Sequence, residues 1–423
     1  MQRLIAPFSV LLVGGLLLAC RGSAPATATA TVPAAKYLAI WAGPQEHIQG
    51  DKVMTPIGPS FVAIIDADTA SPGYGSIVTS VPIGDMAMMP HHMEYVFPRS
   101  GVVFADDYTA GKAFLIDLRD PTAPKRVRTM DGVPGFEKPH SFARLANNHV
   151  IATLQYGNGM KPGNPGGIAE FDADGKLVRS VSSADSSMPG ARIRNYGLEV
   201  LPAIDRMVTT SAPMDTEHTA NTVQLWRLSD LKLLKTIAMP KVANDSVDQQ
   251  PFEVRALPDG KSVMLNSYLC GMYHLTVDGD TPRVELVNSL RSPPESGCSV
   301  PVIVGRYWVI PVAYGRRVIS LDISDPTHAT QVAELKTDST FLPHWLSADP
   351  GSDRIVLVGQ DDGEPRVTII RLDQATGALS WDDRFHDGDR TKHGVSFART
   401  DWPHGKIEHV VPHGALFVAQ PKP

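Results

Sequence analysis

The sequence predicts an all-β chain closed into a ring, a seven-bladed β-propeller. Three observations predict it: a strand–turn–strand phrase that returns seven times, a second strand pattern that also returns seven times, and an offset of one strand between the two series. The phrase is a polar or aromatic residue, an alternating apolar run, a tight turn and a second apolar run. Its copies open at His91, His140, Tyr196, Phe252, Ser299, His344 and His404. They lie about 45 to 60 residues apart, a spacing that, built only of strands and turns, fits one copy per blade.

The second series consists of β-branched apolar runs closed by turn residues. They lie at Asp66, Asp117, Asp172, Arg227, His274, Asp322 and Asp373. Pro, Gly, Asn and Asp punctuate the runs rather than interrupt them, and amphipathic helical periodicity is nearly absent. Six of these strands follow the first six phrases in order. The seventh, at Phe61 to Asp66, precedes the first phrase, while the phrase at His404 has no later strand after it. The N-terminal strand is therefore expected to join the C-terminal blade, closing the ring and removing exposed sheet edges.

From the N-terminus, residues 1–19 read as a signal peptide. One positive charge in Met1-Gln2-Arg3 precedes an apolar run too short and too one-sided to span a bilayer. The run ends Leu17-Leu18-Ala19-Cys20, which resembles a bacterial lipobox and makes Cys20 the expected lipidated residue. Residues 20–36 are small, polar and Pro-bearing, unable to bury a core, and read as a flexible tether. Residues 37–423 are the propeller. The body is expected in the bacterial cell envelope, facing periplasm or exterior and touching the membrane only through its lipid. A formal net charge of −6 argues against a nucleic-acid partner, which requires a basic surface. Beyond Cys20, only Cys270 and Cys298 are present. They sit at the end of one blade and the start of the next, where they either pair as a disulfide or stay as buried thiols. There is no CxxC spacing to suggest a cysteine metal site.

Four phrases open with Pro-His: Pro90-His91, Pro139-His140, Pro343-His344 and Pro403-His404. The first strand of a blade lines the central channel, so these place His91, His140, His344 and His404 at equivalent heights on blades one, two, six and seven. Those blades are neighbours around a closed ring. Imidazoles converging on one arc suit copper, zinc, iron or nickel, whereas softer selection needs thiolates. The competing reading is a repeat that caps strand entry or handles protons. His92 adds a second imidazole, but strand alternation points it away from His91. The phrases at Pro90 and Pro403 superpose without a gap, matching His91 to His404 and Gly101 to Gly414. His409 and His413 follow closely and are candidates to support the ligands. Glu199 and Glu253, on the inner strands of blades three and four, could act as base or ligand, or form ion pairs such as Glu253 with Arg255 or Arg194. No GxSxG and no phosphate-binding loop is present.

The collinear order of several segments resembles the selenium-binding protein and methanethiol oxidase family. They are the His91-His92 pair, PHSFARLANNHVIATLQYGNG, YGLEVLPAIDRMVTTSAPM, FEVRALPDG and VISLDISDPTHATQVAEL. The resemblance runs from about Met89 to the C-terminus and implies a seven-bladed propeller. It also implies copper bound by histidines and oxidation of methanethiol by dioxygen to formaldehyde, hydrogen sulfide and hydrogen peroxide. His91, His92 and His140 match family histidines; His344 and His404 rest on the internal repeat. The selenium-associated members carry cysteines just after the His pair, and MEYVFPRSG has none here, which counts against selenium binding. The expected function is a metal-dependent, copper-using oxidase of a small thiol. The alternative is a non-enzymatic lipoprotein propeller that binds a ligand or a protein, and a lactonase or quinoprotein-like propeller is a third. Fold alone does not choose among them.

Overall fold

The computed structural model describes residues 32–419 apart from 46, 50–51, 55–56, 88, 158, 160–163, 215–219, 242–249, 291–296 and 360–362, so the expected leader, Cys20 and most of the tether lie outside the described residues. The alternating apolar runs form seven antiparallel sheets of four strands ordered outward from a central channel, with a short fifth strand on one of them; in six sheets the four strands are consecutive in sequence. This is the seven-bladed β-propeller. In blade one the strands are Pro90–Met93, Val102–Asp107, Lys112–Asp117 and Lys125–Met130. The innermost strands of blades two to six are Phe136–Arg144, Asn195–Leu201, Pro251–Ala256, Val302–Val304 and Pro343–Ala348. The second strand of each blade is buried on both faces, as in Val150–Gly157 and Arg354–Gly359, and supplies the apolar packing between blades.

Blade seven closes the ring as expected: its order is Val410–Val418, Tyr37–Pro44, Phe61–Asp66, Ile77–Pro82. Tyr37 pairs with Val418 and Pro44 with Val410, so the chain ends are stitched by a full antiparallel ladder. The division of strands differs from expectation. The C-terminus contributes one strand rather than two, because YLAIWAGP, apolar and almost wholly buried, takes the second position. The segment GALFVA is therefore the innermost strand of its blade, and the phrase at His404 precedes it in a small hairpin, Asp401–Trp402 with Gly405–Lys406.

Two further links fix the closure. The Arg354 guanidinium, 2% exposed, donates to Asp349 Oδ2 at 2.6 Å, to the Ala35 carbonyl at 2.7 Å and to the Ala67 carbonyl. The Asp349 carboxylate accepts in turn from the Ala35 amide at 3.2 Å. This buried ion pair holds the start of the body against blade six, so Ala35, inside the stretch whose composition reads as tether, is fixed by hydrogen bonds to Asp349 and Arg354. Cys270 and Cys298 form a disulfide that joins the end of a blade-four strand to the entry of blade five.

Candidate metal centre

Six of the seven innermost strands carry an irregularity that aims their side chains. In blade one Pro90 pairs with Asp107 and Met93 with Ala105, so His91 and His92 together face the single residue Asp106. The same two-against-one bulge places His140 and Ser141 opposite Thr153, Tyr196 and Gly197 opposite Thr210, and Phe252 and Glu253 opposite Asn266. In blade seven it places His413 and Gly414 opposite Trp41. Blade six carries one extra residue, His344, between Pro343 and Trp345. A bulge re-aims side chains and breaks the ladder locally; proline, with no N–H to donate, suits its entry. This is the physical content of the Pro-His repeat.

Residues at or opposite the bulges lock several blades to the next. Thr153 Oγ1 accepts from the Ser141 amide at 3.0 Å and donates to the Tyr196 carbonyl at 2.7 Å. Thr210 Oγ1 accepts from the Gly197 amide at 2.8 Å and donates to the Phe252 carbonyl at 2.5 Å. Asn266 donates to the Cys298 carbonyl at 3.1 Å. Trp41 Nε1 donates to the Asp106 carbonyl at 2.7 Å, and Trp345 Nε1 to the Ala415 carbonyl at 2.8 Å. At the bulges of blades two and three the inner rim is therefore held by hydrogen bonds on both sides, and Asn266, Trp41 and Trp345 add links between other blades, which keeps the projecting rings in place.

Five imidazoles meet at this rim: His91, His92, His140, His344 and His413, all buried. His91 and His92 stack at 4.4 Å between ring centroids with planes 16° apart. His92 lies 4.1 Å from His140, and His91 lies 4.1 Å from His413. The Nε2 atoms of His344 and His413 are 3.1 Å apart. One ligand nitrogen from each of His91, His92 and His140 falls within a 4.8 Å set, a spacing that can hold a metal ion. His91 Nδ1, His92 Nε2, His140 Nε2 and His344 Nδ1 are buried with no hydrogen-bond partner in the protein.

The electrostatics favour neutral rings. Burial holds His91, His92, His140 and His344 well below the ordinary histidine value, and neighbouring imidazoles lower each further. Neutral imidazole is the form that binds metal. Around the rings, Ser141 Oγ sits 3.0 Å from His140 Nδ1 and 3.2 Å from His92 Nδ1. The Tyr95 hydroxyl is 3.2 Å from His92 Nδ1 and donates to the Glu253 carboxylate at 3.0 and 3.1 Å. Glu253 also pairs with Arg255 at 2.7 Å; burial nonetheless pushes its carboxyl up, with Arg255 opposing. Tyr95 is sandwiched between the Arg255 guanidinium, 3.8 Å above its ring, and Trp345, stacked at 5.0 Å. Tyr196 packs on His140 at 3.8 Å.

Several expectations are corrected. His404 is not in the cluster: it bonds Ser80 on the outermost strand of blade seven and packs on Phe61. Its place is taken by His413, which the sequence reading put in support. Both His91 and His92 join the cluster, because the bulge cancels the strand alternation that would have separated them. His409 is exposed with a left-handed backbone (φ 54°), and its carbonyl accepts from Gln45. Glu199 is tied to the Val200 and Ala256 amides at 3.0 and 3.1 Å, bridging blades three and four. Glu253 does form the ion pair with Arg255, yet it also reaches the histidines through Tyr95. Tyr95, Ser141 and Tyr196 were missed as site residues. Ser141 and Tyr196 were findable, since they occupy the second and first bulge positions of their repeats; Tyr95 carried no signal of its own.

A seven-bladed propeller with a buried five-histidine cluster at its channel is the class these features define. No family model and no curated protein matches the sequence. Among solved structures, one described as a hypothetical selenium-binding protein from Sulfolobus tokodaii is similar at a TM-score of 0.71 and 13% identity, covering 90% of this chain and 93% of its own. A periplasmic gluconolactonase from Pseudomonas aeruginosa is similar at 0.60 and 13%, covering 91% and 99%. Hydrazine synthase from Kuenenia stuttgartiensis is similar at 0.54 and 14%, covering 83% and 99%. At these identities the likeness establishes the fold.

Proposed function

We propose that this chain is a metal-dependent oxidase of a small thiol in the methanethiol oxidase manner, with copper as its metal, lipid-anchored in a bacterial cell envelope. The observation that carries the reading is the set of buried imidazole nitrogens on His91, His92, His140 and His344 that no protein group satisfies. Each buried polar atom left unpaired costs about 1–3 kcal/mol. A ligand shared among His91, His92 and His140, whose ligand nitrogens lie within 4.8 Å of one another, would remove that cost for those three rings. Imidazole donors without thiolate select copper, zinc, iron or nickel, so the donor set fits the metal that the family resemblance implies.

His91, His92 and His140 would hold the ion, with His344 and His413 completing the ring. Copper would supply Lewis acidity toward sulfur and a one-electron couple toward dioxygen. The protein's own part is to keep His91, His92, His140 and His344 neutral, to fix all five rings and to exclude water through Tyr196, Trp345 and the closed rim. Burial of all five rings suits a substrate of a few atoms. The overall reaction takes methanethiol, dioxygen and water to formaldehyde, hydrogen sulfide and hydrogen peroxide, which balances in every atom. Copper-loaded protein given methanethiol should release hydrogen sulfide and peroxide in equal amounts and consume oxygen. Metal uptake with no product would leave the site and remove the substrate. No uptake at all would return the chain to the alternative, a propeller that binds a ligand or a protein without catalysis.

A further inference from the structure

The hydrogen bonds behind the cluster run in one direction, and Glu253 sets that direction. Its carboxylate is fully buried and paired with Arg255 at 2.7 Å. An ionised carboxylate can only accept. The single Tyr95 phenol proton is therefore committed to Glu253, at 3.0 and 3.1 Å. The Tyr95 oxygen is left as an acceptor toward His92 Nδ1 and Ser141 Oγ, both at 3.2 Å. Ser141 has one proton to give; passed to Tyr95, it leaves the Ser141 oxygen to accept from His140 Nδ1 at 3.0 Å. A neutral imidazole carries one N–H. With Nδ1 as donor in both rings, the lone pairs of His92 and His140 lie on Nε2, the two nitrogens that have no protein partner.

We propose that Glu253, acting through Tyr95 and Ser141, is a positioning residue that fixes His92 and His140 in the Nδ1–H tautomer, so that Nε2 of each is presented as a metal ligand. The proposal rests on the metal reading above for its purpose, but the tautomer is a property of the metal-free protein. Arg255 serves it twice, by pairing the carboxylate and by covering the Tyr95 ring at 3.8 Å. Trp345 holds the other face of that ring. The device spans the channel: the carboxylate comes from blade four, the phenol from blade one, the hydroxyl from blade two and the indole from blade six.

Glu253→Gln tests it with almost no change of shape. Arg255, a donor, will hold the amide oxygen and turn the amide N–H toward Tyr95. The Tyr95 proton must then point back at His92 Nδ1 or Ser141, reversing the chain. The readout is the two-bond nitrogen–proton correlation spectrum of histidine-labelled, metal-free protein, with the rings assigned through His92→Gln and His140→Gln. The wild type should show Nδ1–H for both rings. Glu253→Gln should shift His92 toward Nε2–H and weaken copper(II) binding by about ten- to a hundredfold, the usual effect of losing a partner behind a ligand. Tyr95→Phe, which leaves the Glu253–Arg255 pair in place, is the second variant if the first fails to fold; it should loosen the His92 tautomer and weaken copper(II) binding. Nε2–H on either ring of the wild type, or unchanged spectra in the variants, overturns the proposal. A wild type with the expected tautomers that takes up no copper(II) overturns the metal reading instead.

Discussion

Acidification should unfold the metal-free protein through the same rings that are proposed to hold the metal. Burial keeps His91, His92, His140 and His344 neutral in the folded state well below their ordinary value, whereas in the unfolded chain they protonate near pH 6.5. The unfolded state then binds more protons, so stability is present above about 6.5 and is lost as pH falls below it. Between pH 7.5 and 5.5 one such histidine removes on the order of 1 kcal/mol, and four together remove several, comparable with the whole stability of a typical domain. Asp106 acts in the opposite sense, because burial and the neighbouring Asp107 raise its carboxyl well above the usual range. The histidine part is therefore isolated by difference. Urea melts at the two pH values should show the loss shrinking by on the order of 1 kcal/mol in His344→Gln, with unchanged m-values. A variant that loses stability with pH as steeply as the wild type would mean that His344 already protonates inside the fold, and the neutral cluster would be wrong.

Other outcomes follow from particular contacts. Asp106→Asn should raise the melting temperature at neutral pH, since a buried carboxyl with a raised value costs stability above the unfolded carboxylate range; a drop would show that the charge is used. Arg354→Met should cost about 3–5 kcal/mol by stranding the buried Asp349 carboxylate, read as a lower urea midpoint, with the histidine cluster untouched. Deleting Tyr37 to Asp68 should abolish cooperative unfolding, because it removes two strands of blade seven and opens the ring. Cys20→Ala should release the protein from the membrane fraction or leave it unprocessed; normal cleavage and retention would defeat the lipid anchor.

The ring was legible in the sequence because each blade repeats one pattern of buried and turn residues; five of the seven phrases open on the innermost strand and a sixth, at Ser299, opens just before it. The seventh misled for a specific reason. Pro403-His404 and Pro412-His413 both precede apolar runs, and only the missing second strand distinguishes them: Tyr37–Pro44 supplies it from the other end of the chain. The bulges were not legible, since pairing register is a property of two strands at once. They turn an expected single ring in blade one into the stacked His91-His92 pair and bring Glu253 to Tyr95. The tether boundary was set by composition, and Ala35 escaped because its order comes from Arg354, far away in sequence.

The central claim is that one transition-metal ion sits among the five rings, and metal content after reconstitution tests it most directly. Purified protein stripped of metal, exposed to copper(II) and freed of excess should retain about one ion per chain. His140→Ala and His413→Ala should each lose it, while His404→Ala should keep it. A wild type that retains no copper, zinc, iron or nickel, or a His404→Ala variant that loses the metal while His413→Ala keeps it, would contradict the account.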